Sequence, residues 1–284
     1  MKEYSYVAPA SVGECLQILH QAGRPVRIAA GCTNVLPNLK SNKIPDCTLV
    51  DIGGLQELKT IQQDGQIIRI GALVTIDQLV HSSEIELAAK ALCQACQRFA
   101  DPLVRNRATI GGNLANASPA ADSVTPLLAL NACVTVESVT GGKRDIPIES
   151  FFEAPGKSVL RCDELITAIS FVSEPEMKSC FLKLGLRQAM AISVINIAVA
   201  LKLADNNGIA DIRIALGAVS PVAMRAKQTE RFLIGQEISP DVLDKAAELI
   251  KSEIFPISDL RASKEYRTLM AGVLLRRAIE AVLG

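Results

Sequence analysis

Apolar positions in the first half of the chain switch between helical and strand-like spacing. Over residues 11–22, Val12, Cys15, Leu16 and Leu19 recur at helical intervals, with Ser11 in the N-cap position and Glu14 three residues on. Gly23-Arg24-Pro25 ends that helix, and residues 26–30 read as a buried strand. Residues 48–52 form another strand, closed by Gly53-Gly54. Residues 58–62 and 66–70 predict a hairpin, because Asp64-Gly65 suits a tight turn with positive φ. Helices are expected at 77–80 and 85–99. Strands at 132–139 and 144–148 pair around Gly141-Gly142, and a strand at 165–172 closes this half.

The polar, proline-bearing segment Ser173-Glu174-Pro175-Glu176 predicts a boundary, so the expected domains are 1–175 and 176–284. Strands follow at 180–186, 193–203 and 209–219, with Asn206-Asn207-Gly208 turning between the last two. Amphipathic helices are expected at 227–234, 240–250 and 262–283. Strands first and helices afterwards make this second unit α+β.

Composition narrows the class. With 284 residues, 49% of them hydrophobic, the chain can bury two cores. Lys+Arg and Asp+Glu are balanced at 30 each, so no electrostatic footprint favours nucleic acid or an anionic membrane. Apolar stretches at 124–136 and 191–203 are too short to span a bilayer and are broken by Pro126, Asn131, Asn196 and Lys202. The opening Met1-Lys2-Glu3-Tyr4-Ser5-Tyr6 lacks an apolar leader, and a cytoplasmic protein is expected. In that setting the eight cysteines read as reduced thiols. Cys93 and Cys96 form a C-x-x-C, but inside a predicted helix and without a second pair or a nearby histidine; they read as small helix residues, and no metal is expected on this chain. His20 and His81 accompany no nucleophile elbow.

Two segments carry candidate chemistry. In Arg27-Ile28-Ala29-Ala30-Gly31-Cys32-Thr33-Asn34 a buried strand runs into a turn of small residues, whose amides can approach a phosphate closely. Many strand-to-helix turns share that feature. In Thr109-Ile110-Gly111-Gly112-Asn113, continued by Leu114-Ala115-Asn116-Ala117-Ser118-Pro119, small residues leave amides uncovered over an unusual length. This suits a pyrophosphate and ribityl chain and differs from both a Walker loop and G-x-G-x-x-G. A plain tight turn is the alternative.

Together the segments resemble the flavoprotein subunit of the xanthine dehydrogenase and carbon monoxide dehydrogenase family. Its signatures A-G-G-T-[DN] and T-[IY]-G-G-N stand here as Ala30 to Asn34 and Thr109 to Asn113. Asp51-Ile52, Ile70-Gly71-Ala72, Ala120-Ala121-Asp122-Ser123, Phe151-Phe152, Pro155-Gly156-Lys157, Asp163-Glu164-Leu165-Ile166, Arg187-Gln188-Ala189-Met190 and the run from Arg261 to Arg267 match further landmarks in order.

The resemblance implies an α+β protein: a PCMH-type FAD-binding domain of two α/β subdomains, then a smaller α+β C-terminal domain. It implies that Arg27 to Asn34 and Thr109 to Asn113 grip the FAD pyrophosphate and ribityl chain. Phe99 and Leu165 would line the flavin or adenine, and Asp122 and Lys183 would sit near the isoalloxazine. Cys32 departs from the family glycine; if that position needs φ > 0, cysteine carries a penalty there. The implied partners are a large molybdopterin subunit and a small subunit with two [2Fe–2S] clusters, arranged as a heterotrimer or a dimer of heterotrimers. NAD is the implied acceptor, and a purine is the leading substrate of the complex, with nicotinate or another N-heterocycle as the alternative. The rivals are a free-standing FAD oxidase or reductase, and a scaffold subunit that has lost its flavin.

Overall fold

Short parallel strands joined by helices build the N-terminal layer. The computed structural model describes residues 4–187 and 190–284; Met1 to Glu3 of the N-terminal reading, and Gln188 and Ala189 of the family landmark, lie outside them. Strand β1 (Tyr4–Val7), helix α1 (Val12–His20), strand β2 (Val26–Ala29), helix α2 (Val35–Lys40) and strand β3 (Cys47–Asp51) give a parallel sheet in the order β1-β3-β2. Ser11 caps α1 by accepting the Glu14 N–H, and Cys15, Leu16 and Leu19 pack on Val50, Ile52, Leu73 and Leu165.

The second layer is an antiparallel sheet wrapped by short helices. It comprises β4 (Ile61–Asp64), β5 (Ile67–Gly71), α3 (Ile76–Val80), α4 (Ser83–Ala88), α5 (Lys90–Gln97), α6 (Pro102–Arg105), α7 (Ile110–Ala115), α8 (Val124–Ala129), β6 (Cys133–Ser138), β7 (Gly142–Pro147), β8 (Phe152–Ala154), β9 (Lys157–Ser158) and β10 (Leu165–Val172). The sheet order is β4-β5-β10-β6-β7, with β8 and β9 a separate hairpin. The predicted first hairpin strand starts later than expected, at Ile61, because Leu58 belongs to a 3-10 turn; Gly65 turns the hairpin at φ +57°. The helix expected over 85–99 divides at Ala89 (φ −151°, ψ 57°), which buries Ile85 and Leu92 in the same core and leaves Leu87 in solvent.

The third layer contains β11 (Lys178–Leu184), β12 (Ile195–Leu203), β13 (Ile209–Gly217), β14 (Met224–Arg225), α9 (Lys227–Leu233), α10 (Pro240–Leu249) and α11 (Lys264–Leu283). Its antiparallel sheet runs β11-β12-β13-β14. Both faces are covered: Phe181, Ala198, Ala200 and Ala215 join the core of α5 and α8, while Ile197, Val199, Ile214 and Leu216 pack against α9 to α11. That explains the unbroken apolar run of β12, which a one-sided antiparallel strand would not need. Among the described residues no helix is long and apolar enough to cross a membrane; the stretch at 124–136 is α8 followed by β6, separated at Asn131 (φ +50°).

Candidate functional site

The turn after β2 is held open by its neighbours. Ile52 N–H donates to Ala29 O (2.9 Å) as the last bond of the β2–β3 ladder. Beyond it, among the described residues, the N–H groups of Gly31, Cys32, Thr33 and Asn34 donate to no acceptor within the protein. Four successive unpartnered amides in one turn are free to receive an anion without a positive side chain. Gly31 is required sterically, since a Cβ there would lie 1.8 Å from Arg107 O. Cys32 stands at φ +61°, the left-handed region in which its Cβ is unfavourable. Burial pushes the Cys32 thiol above the usual cysteine range, aided by Asp51 and opposed by Arg107. Cys32→Gly is expected to raise stability by about 0.5–1 kcal/mol, the left-handed penalty less the added chain entropy of glycine. Chemical denaturation checks this; an unchanged midpoint would show that the turn carries no such penalty.

The second segment behaves differently from its sequence reading. It is not a run of bared amides: Ile110 N–H donates to Val74 O and Gly111 N–H to Ala72 O, both at 3.0 Å. Gly112 N–H donates to Thr109 Oγ1 (3.1 Å) and Asn113 N–H to Thr109 O (2.9 Å). Thr109 is therefore the N-cap of α7, and the glycines serve packing. A Cβ at Gly111 would lie 2.7 Å from Ala72 Cβ, and one at Gly112 would lie 2.8 Å from Thr109 Oγ1. Close approach brings α7 beside the first turn, where Asn34 Nδ2 donates to Asn116 Oδ1. Asn113 Oδ1 accepts from Ser123 Oγ at 2.7 Å.

Both segments line one cavity of about 720 Å³, within the range of small-molecule and cofactor pockets. Arg27, Ile28, Ala30, Gly31, Cys32, Thr33, Asn34, Phe99, Thr109, Gly111, Gly112, Asn113 and Leu165 all contribute to its wall. Ala29 and Ile110 are instead buried in the core. Asp122 and Lys183 do not line the cavity and form their own buried pair (2.5 Å; side chains 8% and 7% exposed). Ser193 Oγ (2.6 Å) and Asn196 Nδ2 (3.2 Å) also donate to Asp122. Burial nevertheless pushes the Asp122 carboxyl above its usual range, against Lys183 and those donors.

Sequence reasoning missed Asn38, Lys43, Asn116, Leu160, Arg161 and Cys162 in the wall. Asn116 lies within the small-residue run and was within reach of it; Asn38 on α2 and the loop residues Lys43, Leu160, Arg161 and Cys162 are brought round only by tertiary folding. Glu164 anchors one side: it takes the Arg144 fork (2.8 and 2.9 Å) and the Arg161 N–H (2.8 Å). Those bonds, the Arg144 side chain first, hold its carboxyl below the ordinary glutamate range. A depressed carboxylate contributes stability above the unfolded value, near 4.5, and loses it as pH falls through the folded value. Glu164→Gln is therefore expected to flatten the acid limb of the melting profile; an identical limb in the two proteins would contradict this.

Unpartnered amides in a turn of small residues open on a cavity of mixed polar and apolar wall. Residues 2–171 match the FAD-binding domain in molybdopterin dehydrogenase, and residues 181–282 match the CO dehydrogenase flavoprotein C-terminal domain. The xanthine dehydrogenase FAD-binding subunit of Escherichia coli O157:H7 is 34% identical over 98% of this chain and 96% of its own length. The nicotine 6-hydroxylase medium subunit of Paenarthrobacter nicotinovorans is 31% identical over 96% of this chain and 95% of its own. Carbon monoxide dehydrogenase of Hydrogenophaga pseudoflava, solved without the Mo-pyranopterin moiety of its cofactor, superposes with a TM-score of 0.94 at 30% identity, covering 99% and 97% of the two chains. The chain belongs to the xanthine dehydrogenase/carbon monoxide dehydrogenase family of FAD-binding medium subunits, and is an oxidoreductase subunit of the α+β fold expected.

Proposed function

We propose that the cavity holds FAD with its diphosphate on the amides of Gly31 to Asn34. The observation that carries this reading is the nest itself, four amides without internal partners on a turn that closes the cavity wall. Arg27 and Lys43 stand on the same wall and add positive charge beside it. The Asn34–Asn116 contact ties the nest to α7, so Thr109, Gly111, Gly112 and Asn113 shape the ribityl path by close packing. Ala29 and Ile110 support these loops from the core. Phe99 and Leu165 supply apolar wall for a planar ring, and Lys183, fixed by Asp122, holds the carbonyl of the neighbouring Arg98.

Bound FAD supplies the redox centre that links one-electron iron–sulfur carriers to a two-electron acceptor. This chain's part is to bind it, orient it and keep its diphosphate desolvated and neutralised. The same reading assigns the chain a small [2Fe–2S] partner and a large molybdopterin partner in a cytoplasmic heterotrimer or its dimer, with NAD as acceptor. Relatives named for xanthine, nicotine and carbon monoxide share this subunit, so the medium subunit serves several substrates. A purine is assigned here on the likeness to the xanthine dehydrogenase subunit. The test is the complex co-purified through a tag on this chain. One FAD per chain and xanthine-dependent NADH formation are expected; a complex that releases no flavin on denaturation would overturn the FAD reading, and turnover with another acceptor or substrate would overturn only that assignment.

A further inference from the structure

Four successive carbonyls at and just after the C-terminal end of α5, Gln97 to Ala100, are held from three other parts of the chain. Lys183 Nζ, on β11, donates to Arg98 O at 3.2 Å. Arg105 Nη1, on α6, donates to Phe99 O at 3.1 Å and to Gln97 O at 3.4 Å. The Met190 N–H donates to Ala100 O at 3.4 Å. Between them Ala100 stands at φ +40°, a left-handed conformation unfavourable for any residue with a side chain.

Helix C-termini need partners for their last carbonyls and favour cations there, but a single glycine usually suffices. Here the end is over-determined. Lys183 is itself fixed by Asp122, Asp122 by Ser193 and Asn196, and Asn196 Oδ1 accepts from Thr125 Oγ1 at 3.1 Å. A buried polar network thus runs from the third layer to one short segment, and the outward product of that segment is Phe99, half-buried in the cavity wall. Strained backbone persists where surroundings hold it, and such places cluster at ligand sites.

We propose that this clamp is a positioning device for Phe99, with Lys183 and Arg105 as positioning residues that fix the ring as a flat wall for the cofactor. The inference rests on the reading of the cavity as a FAD site. It ties the third layer to the flavin site, since Lys183 on β11 holds the Arg98 carbonyl beside Phe99.

The test uses the full chain, freed of flavin and titrated with FAD, following fluorescence quenching and the visible absorption and circular dichroism of the bound form. Arg105→Met, the double variant Lys183→Met/Asp122→Asn and Phe99→Leu are compared with Arg213→Met, whose ion pair lies away from the clamp. The double variant removes both charges together, so that neither is left buried alone. Each clamp variant should weaken FAD binding about tenfold, the order of one lost aromatic contact, and shift the bound spectrum in the direction Phe99→Leu does. Arg213→Met should lower the melting temperature and move neither readout. Clamp variants that melt earlier yet keep wild-type affinity and spectrum would reduce the network to structural support. Should the double variant not fold, Arg105→Met alone decides by the same readouts. Failure of the unmodified chain to take up FAD overturns the underlying reading instead, which the unmodified titration distinguishes.

Discussion

Gly31→Ala is expected to cost the protein its flavin. The added Cβ would sit 1.8 Å from Arg107 O and 2.6 Å from Arg107 C. Neither is a flexible side-chain end, so the turn or the 107–108 backbone must move by more than an ångström. Overpacking against backbone of this kind costs about 3 kcal/mol of stability. The displaced turn also carries its four unpartnered amides out of place. Losing two charge-assisted hydrogen bonds to a diphosphate, at about 1.5 kcal/mol or more each, weakens FAD about 100-fold or more. Gly111→Ala separates the two effects. Its Cβ would also meet Ala72 too closely, 2.7 Å from Cβ and 2.8 Å from O, a milder clash than at Gly31, so stability should still fall but by less. The amides of α7 are already partnered internally, however, and flavin affinity should fall less. Measured FAD content and dissociation constants decide between them. A yellow Gly31→Ala protein with full FAD content would remove the nest from the explanation.

The contrast between these glycines also marks where sequence legibility ended. Adjacent glycines read as loop, and Gly111-Gly112 gave every reason to expect bared amides. What sequence did not display was the pair of acceptors, Ala72 O and Val74 O, that fix Ile110 and Gly111 from another element. Strand periodicity served better. Residues 165–172 are β10 as expected, and the runs at 48–52, 132–139 and 209–219 hold strands because the apolar side chains of each meet the core beside their own sheet. Short elements escaped. Tyr4–Val7 is mostly exposed and lacks an apolar rhythm, and Val35–Lys40 buries no residue at all. The penalty attached to a positive φ at Cys32 was legible from the departure itself, and the turn adopts that φ. The polar segment 173–176 is no free linker: Arg213 grips Glu174 with both ends of its fork (2.7 and 2.9 Å), and the first core continues into the third layer. Ion pairs across such a segment leave no local trace in sequence.

Arg267→Met is expected to destabilise the third layer by about 3–4 kcal/mol, the range for breaking a buried charge pair from one side. The guanidinium is 2% exposed, among the largest fully buried side chains. Its Nη1 donates to Val194 O (2.6 Å) and Ala218 O (2.8 Å), and its Nη2 to Asp259 Oδ1 (2.7 Å). One side chain thereby joins α11 to the start of β12, to the left-handed Ala218 (φ +63°) after β13, and to the loop that carries Asp259. Methionine fills the stem volume but takes this donor from two carbonyls and leaves the Asp259 carboxylate with only Arg261 and the Ala262 N–H. Burial works against the charge of Asp259, yet the Arg261 N–H, the Arg267 side chain and the Ala262 N–H outweigh it and hold the carboxyl below its ordinary range. Arg267→Lys should recover less than half of the loss, because one ammonium cannot reproduce a planar fork with acceptors on both arms. Thermal unfolding with far-ultraviolet detection should show a drop of roughly 6–12 °C for Arg267→Met at the slope typical of chains this long. Asp259→Asn should fall by less, since a neutral amide still accepts from Arg267. A methionine variant melting within about 2 °C of the parent would mean less than roughly 1 kcal/mol is at stake, and that the surrounding loop, not the buried cation, holds α11 in place.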